Sequence, residues 1–66
     1  MNRIVVGKSE NTLAEFSSSD LFGAPYSVLL IDDVEGVYSV EGFQTLDTAL
    51  ASLRDDERAI VELYNR

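Results

Sequence analysis

The sequence predicts a small α+β domain: an antiparallel sheet of four to five strands, closing with a ββαβ unit, and one main helix packed on one face of the sheet. Three observations lead there. Tyr26-Ser27-Val28-Leu29-Leu30-Ile31 is nearly continuous in apolar residues and reads as a central strand. Asp32-Asp33-Val34-Glu35-Gly36 is a turn-forming cluster between that run and the β-prone Val37-Tyr38-Ser39-Val40, which makes a hairpin. Leu46, Ala49, Leu50 and Leu53 then fall at i, i+3, i+4 and i+7, the stripe of an amphipathic helix.

Taken in order, Arg3-Ile4-Val5-Val6-Gly7 is a short β-branched run, ended by Gly and the polar group Lys8-Ser9-Glu10-Asn11. Thr12-Leu13-Ala14-Glu15-Phe16 has two readings. As a strand it places Thr12, Ala14 and Phe16 on one face, whereas Thr12 followed by Glu15 also matches a helix capping box. Ser17-Ser18-Ser19 is a poor helix interior, which favours a strand or one irregular turn. Ser19-Asp20 can cap a short turn through Leu21 and Phe22 before Gly23-Ala24-Pro25 breaks the chain. After the hairpin, Gly42 closes the strand and Thr45 is placed to cap a helix from Thr45 to Arg54, with Asp47 and Arg54 at the ends that suit its dipole. A continued helix would bury Asp56 or Glu57, so the chain is expected to break at Asp55-Asp56-Glu57. The tail Arg58 to Tyr64 then forms a strand with Ala59, Val61 and Leu63 facing one way.

A chain of 66 residues has room for one domain, residues 1–66, and its core must form without disulfides, since cysteine and histidine are both absent. A monomer or small dimer is expected. The apolar run after Arg3 is too short for a signal-peptide core, and no segment approaches the ~20 apolar residues of a membrane helix, so the reading is a cytoplasmic protein. Charge is the main clue to function. From Ser9 to Leu53 the chain carries Glu10, Glu15, Asp20, Asp32, Asp33, Glu35, Glu41 and Asp47 with no Lys or Arg, and the net charge is −7. Such a one-signed field attracts basic surfaces and repels nucleic acid and anionic membranes.

No enzyme site is assembled. With no His or Cys, Lys8 alone could supply amine chemistry. Val6-Gly7-Lys8-Ser9 echoes the end of a phosphate-binding loop, but Asn2 stands where that loop requires glycine. Asp32, Asp33 and Glu35 offer oxygen ligands without the spacing of a calcium loop, and acidic turns are common for backbone reasons. Asp55-Asp56-Glu57 reads as a solvated helix end rather than a sugar-cleaving pair. No cofactor or metal is expected. Tyr26, Tyr38 and Tyr64 on strands read as half-buried rings, and among carboxylates they suit a protein interface better than base stacking.

The candidate partner-binding residues are Asp32, Asp33, Glu35 and Glu41, with Glu15 and Glu62 joining them if their strands share the sheet. On a regular strand rising about 3.3 Å per residue, Glu35 and Glu41 share a face some 20 Å apart. That row is sparser than the ~1.7 Å charge spacing of duplex DNA. It can fill a Lys/Arg channel built for phosphate; a solvated outer face predicts the same residues.

In size, charge and the ββαβ order, with these acids as its carriers, the chain resembles small acidic inhibitors encoded by bacteriophages and mobile elements, anti-CRISPR proteins among them. Phe43-Gln44-Thr45-Leu46-Asp47-Thr48-Ala49-Leu50 also looks like the start of a helix in phage inhibitors of bacterial RNA polymerase. The resemblance implies a non-enzymatic inhibitor acting in a host cytoplasm, one that covers a basic, nucleic-acid-binding surface, with DNA mimicry as one way of doing so. The alternative is a small structural or regulatory subunit that binds through a sheet edge or helix face.

Overall fold

The computed structural model describes residues 2–15 and 23–64. Along them run β1 (Arg3–Lys8), α1 (Ser9–Glu15), β2 (Tyr26–Asp32), β3 (Gly36–Phe43), α2 (Leu46–Ala51), α3 (Asp55–Arg58) and β4 (Glu62–Tyr64). The four strands form one sheet in the order β3-β2-β1-β4. The α+β class holds, but the sheet is mixed rather than antiparallel. β2 runs antiparallel to both β1 and β3, while β4 lies parallel to β1, with Val5, Val6 and Gly7 opposite Glu62, Leu63 and Tyr64. The chain leaving β3 passes through α2 and α3 before it rejoins the sheet, and a crossover of that kind returns it in a parallel sense where a hairpin would not.

Alternation along the central strands sorts the core into two layers. Ile4, Val6 and Val28 meet Ala49 and Leu53 on one face, with Leu46 and Leu50 packed against them. Val5, Leu29 and Ile31 form a second cluster on the other face with Val37, Val40 and Tyr64. Strands buried on both faces read as continuous apolar runs, which is how β1 and β2 appear in the sequence.

A single helix on one face is the second expectation to be corrected. α1 lies on the face opposite α2: the Ser9 hydroxyl is 2.6 Å from that of Ser27, and Thr12 packs beside Gly7. The favoured strand over residues 12–16 is a helix as far as Glu15, and it begins at Ser9, upstream of the Thr12–Glu15 box. Phe16, the serine run and the Ser19–Phe22 turn lie outside the described residues. The described buried positions of α1 are Ser9 and Thr12, one helical turn apart. Their hydroxyls are satisfied by Ser27 and by the Lys8 carbonyl, at 3.1 Å from Thr12 Oγ1. Where the described buried positions are hydroxyl residues, no apolar period marks them.

Thr45 caps α2 as expected: its Oγ1 accepts from the Thr48 amide at 3.1 Å, and its own amide donates to Thr48 Oγ1 at 3.3 Å. The stripe Leu46, Ala49, Leu50 and Leu53 faces the core. The helix nevertheless stops at Ala51 rather than Arg54, and a new one begins at Asp55. Continuing α2 would set Asp55, Asp56 and Glu57 at a helix C-terminus, where the dipole repels them; restarting puts them in a first turn, where it favours them. Arg54, expected in the last turn of α2, instead precedes α3, and its amide donates to Glu57 Oε1 at 2.8 Å. Arg58 Nη1 donates to the Leu53 carbonyl at 3.0 Å, next to the carbonyl end of α2. The expected strand from Arg58 to Tyr64 shrinks to Glu62–Tyr64, because the acids thought to break the chain start a helix.

Candidate functional site

The β2–β3 hairpin gathers the densest set of predicted residues. Asp32 ends β2, and its Oδ2 accepts from the amides of Val34 at 2.9 Å and Glu35 at 3.0 Å. Those bonds, the Glu35 amide first, hold the Asp32 carboxyl below the usual carboxylate range. Gly36 follows with φ of +82°, the left-handed position that closes a three-residue hairpin loop. Asp32 thus shapes the turn. Asp33 and Glu35 project from it as exposed residues on either side of Val34, which is 90% exposed.

Glu41 is exposed on β3, but it does not share a strand face with Glu35. Ser39 pairs with Leu30 and Val37 with Ile31, so Tyr38 is an extra residue and the alternation breaks there. Glu41, opposite Val28, is on the α2 side of the sheet, while Val37, opposite Ile31, belongs to the other side. Glu35 lies in the loop before the strand. The regular row of carboxylates expected along one face is therefore divided into a hairpin group and Glu41.

The remaining two candidates lie elsewhere. Glu15 is the last residue of α1. Glu62 is on β4 in the same sheet, where Arg3 grips it through two bonds, Nε to Oε2 at 2.9 Å and Nη2 to Oε1 at 2.7 Å. The Arg3 hydrogen bond, reinforced by its charge, holds the Glu62 carboxyl below its ordinary range. Arg54 lies 3.6 Å from Asp56 and 3.8 Å from Glu57, and Arg58 pairs with Asp55. These contacts moderate the acidic field around β4 and α3.

Gly7-Lys8-Ser9 is the junction of β1 and α1. The Ser9 amide donates to the Pro25 carbonyl at 2.9 Å and its hydroxyl bonds Ser27, so neither is directed at a phosphate. An open cleft of about 390 Å³ beside it is lined by Lys8, Glu10, Pro25 and Tyr26 among others. Among the described residues no cluster of three or more acidic side chains is arranged to hold a metal ion, and no helix is long and apolar enough to cross a membrane.

Val34 is the surface residue that sequence reasoning passed over. Its signal was a lone β-branched residue inside Asp-Asp-Val-Glu-Gly, where turn chemistry calls for polar groups. Tyr38, 52% exposed at the bulge, adds a second apolar feature near the acids, whereas Tyr26 and Tyr64 are half-buried. Comparison with protein-family models, with curated proteins and with solved structures finds no match.

Proposed function

We propose that this chain is a non-enzymatic inhibitor that binds a basic, nucleic-acid-binding surface of a partner protein or complex and blocks it. One observation carries the reading: Asp33 and Glu35 flank the exposed Val34 at the hairpin tip, while the arginines Arg3, Arg54 and Arg58 are engaged by carboxylates around β4 and α3. Glu35 and Glu41 lie within the stretch from Ser9 to Leu53 that carries no Lys or Arg, which concentrates the acidic field around the hairpin and β3 even with Arg3 near enough to feel the Asp33 charge. An apolar anchor ringed by acids suits a Lys/Arg surface, where charge speeds encounter and the anchor slows release. The same field disfavours direct contact with nucleic acid or an anionic membrane. Division of the row at the bulge favours a groove that embraces the hairpin over a flat track that reads evenly spaced phosphates.

The test is capture from a bacterial lysate at low and high salt, followed by competition between this chain and labelled nucleic acid for the captured partner. Capture should fall as salt rises, and the chain should displace the nucleic acid. Salt-independent capture with nucleic acid still bound would contradict the proposal.

A second reading, a small structural or regulatory subunit, draws on Ile60 and Leu63, which are 58% and 49% exposed near β4. It requires capture that survives high salt and is lost on Leu63→Ser.

A further inference from the structure

We infer that β3 receives an extended, basic segment of the partner as a fifth strand, with Ser39–Phe43 supplying main-chain hydrogen bonds and Glu41 the charge contact. This rests on the reading of the chain as an inhibitor of a basic partner, and it names the form the partner presents. β3 forms one border of the sheet, and among the described residues no strand pairs with its outer side. It spans eight residues, against three in β4 at the opposite border. An open edge is a template for another strand, and proteins usually blunt it with lysine, proline or a cover. Gly36–Phe43 contains no lysine, arginine or proline. Its one irregularity, the bulge at Tyr38, leaves Ser39–Phe43 paired without interruption to Leu30–Tyr26. That stretch is regular enough to be extended by a guest.

The side chains specify the guest. Glu41 is on the α2 side and Val40 on the other, so an added strand sets alternate residues beside an anion and beside an aliphatic group. A segment alternating Lys or Arg with β-branched residues fits both. Asp33 and Glu35, at the hairpin end of the same edge, add attraction during approach. A second copy fits poorly, because self-pairing brings together two chains of net charge −7.

The test titrates the ¹⁵N-labelled full chain with a synthetic peptide of alternating Arg and Val. It is repeated with two forms of that peptide N-methylated at one or the other set of alternate amides, and with a peptide of alternating Thr and Val. We expect slowed amide exchange within Ser39–Phe43, loss of binding for one N-methylated form only, and weakening by about tenfold or more for Glu41→Lys, some 1.4 kcal/mol. Equal binding of both N-methylated forms and the parent, with no change in exchange at β3, would overturn strand addition while leaving the charge-based reading intact. Equally tight binding of the Thr/Val peptide, with the same protection, would uphold strand addition and overturn the charge-based reading. Absence of binding by every peptide, or protection of β3 that grows with protein concentration alone, would overturn the inference, the latter in favour of a second copy.

Discussion

The two borders of the sheet are built differently. β4 is short and tied to β1 by specific contacts: Arg3 holds Glu62 from the adjacent strand, and Gly7 lets the Tyr64 backbone come so near that an added methyl would run into its carbonyl oxygen and Cβ. β3 is long and bulged, and it carries exposed Glu41 and Tyr38 beside an acidic loop. The contrast separates two uses of charge and packing. Near β4, acids meet arginines and the glycine serves close approach, which are contributions to folding. Near β3, Asp32 orders the turn while Glu35 and Glu41 stand exposed, which makes that border the place to look for a partner.

Gly7→Ala should disturb the β4 border with the largest effect. The new methyl meets backbone, which has little room to yield, and overpacking of this kind costs about 3 kcal/mol. Urea denaturation should show a much lower midpoint; an unchanged one would mean that β4 does not approach β1 as described. Gly36→Ala probes the other border through its turn. A side chain at φ of +82° costs about 1–2 kcal/mol, and hairpin amides should lose more exchange protection than those of β4.

A smaller effect is expected from Glu62→Gln, since both partners of its ion pair are more than a third exposed: about 0.5 kcal/mol at neutral pH. Its pH dependence has a definite sign. Because the folded-state pKa of Glu62 is lowered, the stabilisation is complete above the unfolded glutamate value of about 4.3 and is lost as pH falls through the lowered one. The stability difference between wild type and variant should therefore shrink in acid, and a difference that grew there would contradict the assignment. Glu41→Gln should be smallest in stability, within about 0.5 kcal/mol, because the residue is exposed and the cited ion pairs lie elsewhere. A marked loss of melting temperature would give Glu41 a structural role and weaken the contrast.

The elements legible in the sequence are those whose burial is apolar and periodic. β2, the hairpin, the Thr45 cap and the stripe from Leu46 to Leu53 all follow from spacing. α1 was not legible because Ser9 and Thr12 occupy its described buried positions. The sense of β4 depends on a crossover that no local pattern records. The bulge was hidden too, since Val37-Tyr38-Ser39-Val40 reads as one β-prone run whose composition marks no extra residue. For the candidate site, the sequence proposed the carboxylates without their commitments: Asp32 to the amides of its own turn and Glu62 to Arg3. Those are matters of a few ångströms, which composition and spacing do not encode.

The most direct test of the open-border account measures association of the full chain with its captured partner for wild type and for the triple variant Asp33→Asn, Glu35→Gln, Glu41→Gln. Asp32 is left in place because it orders the turn. At ~0.15 M ionic strength, where the Debye length is about 8 Å, the variant should fold normally and associate more slowly. The gap should narrow as salt rises, and single neutralisations should each account for part of it. A triple variant that associates as fast and binds as tightly as wild type would contradict the account and move the interface away from the hairpin and β3.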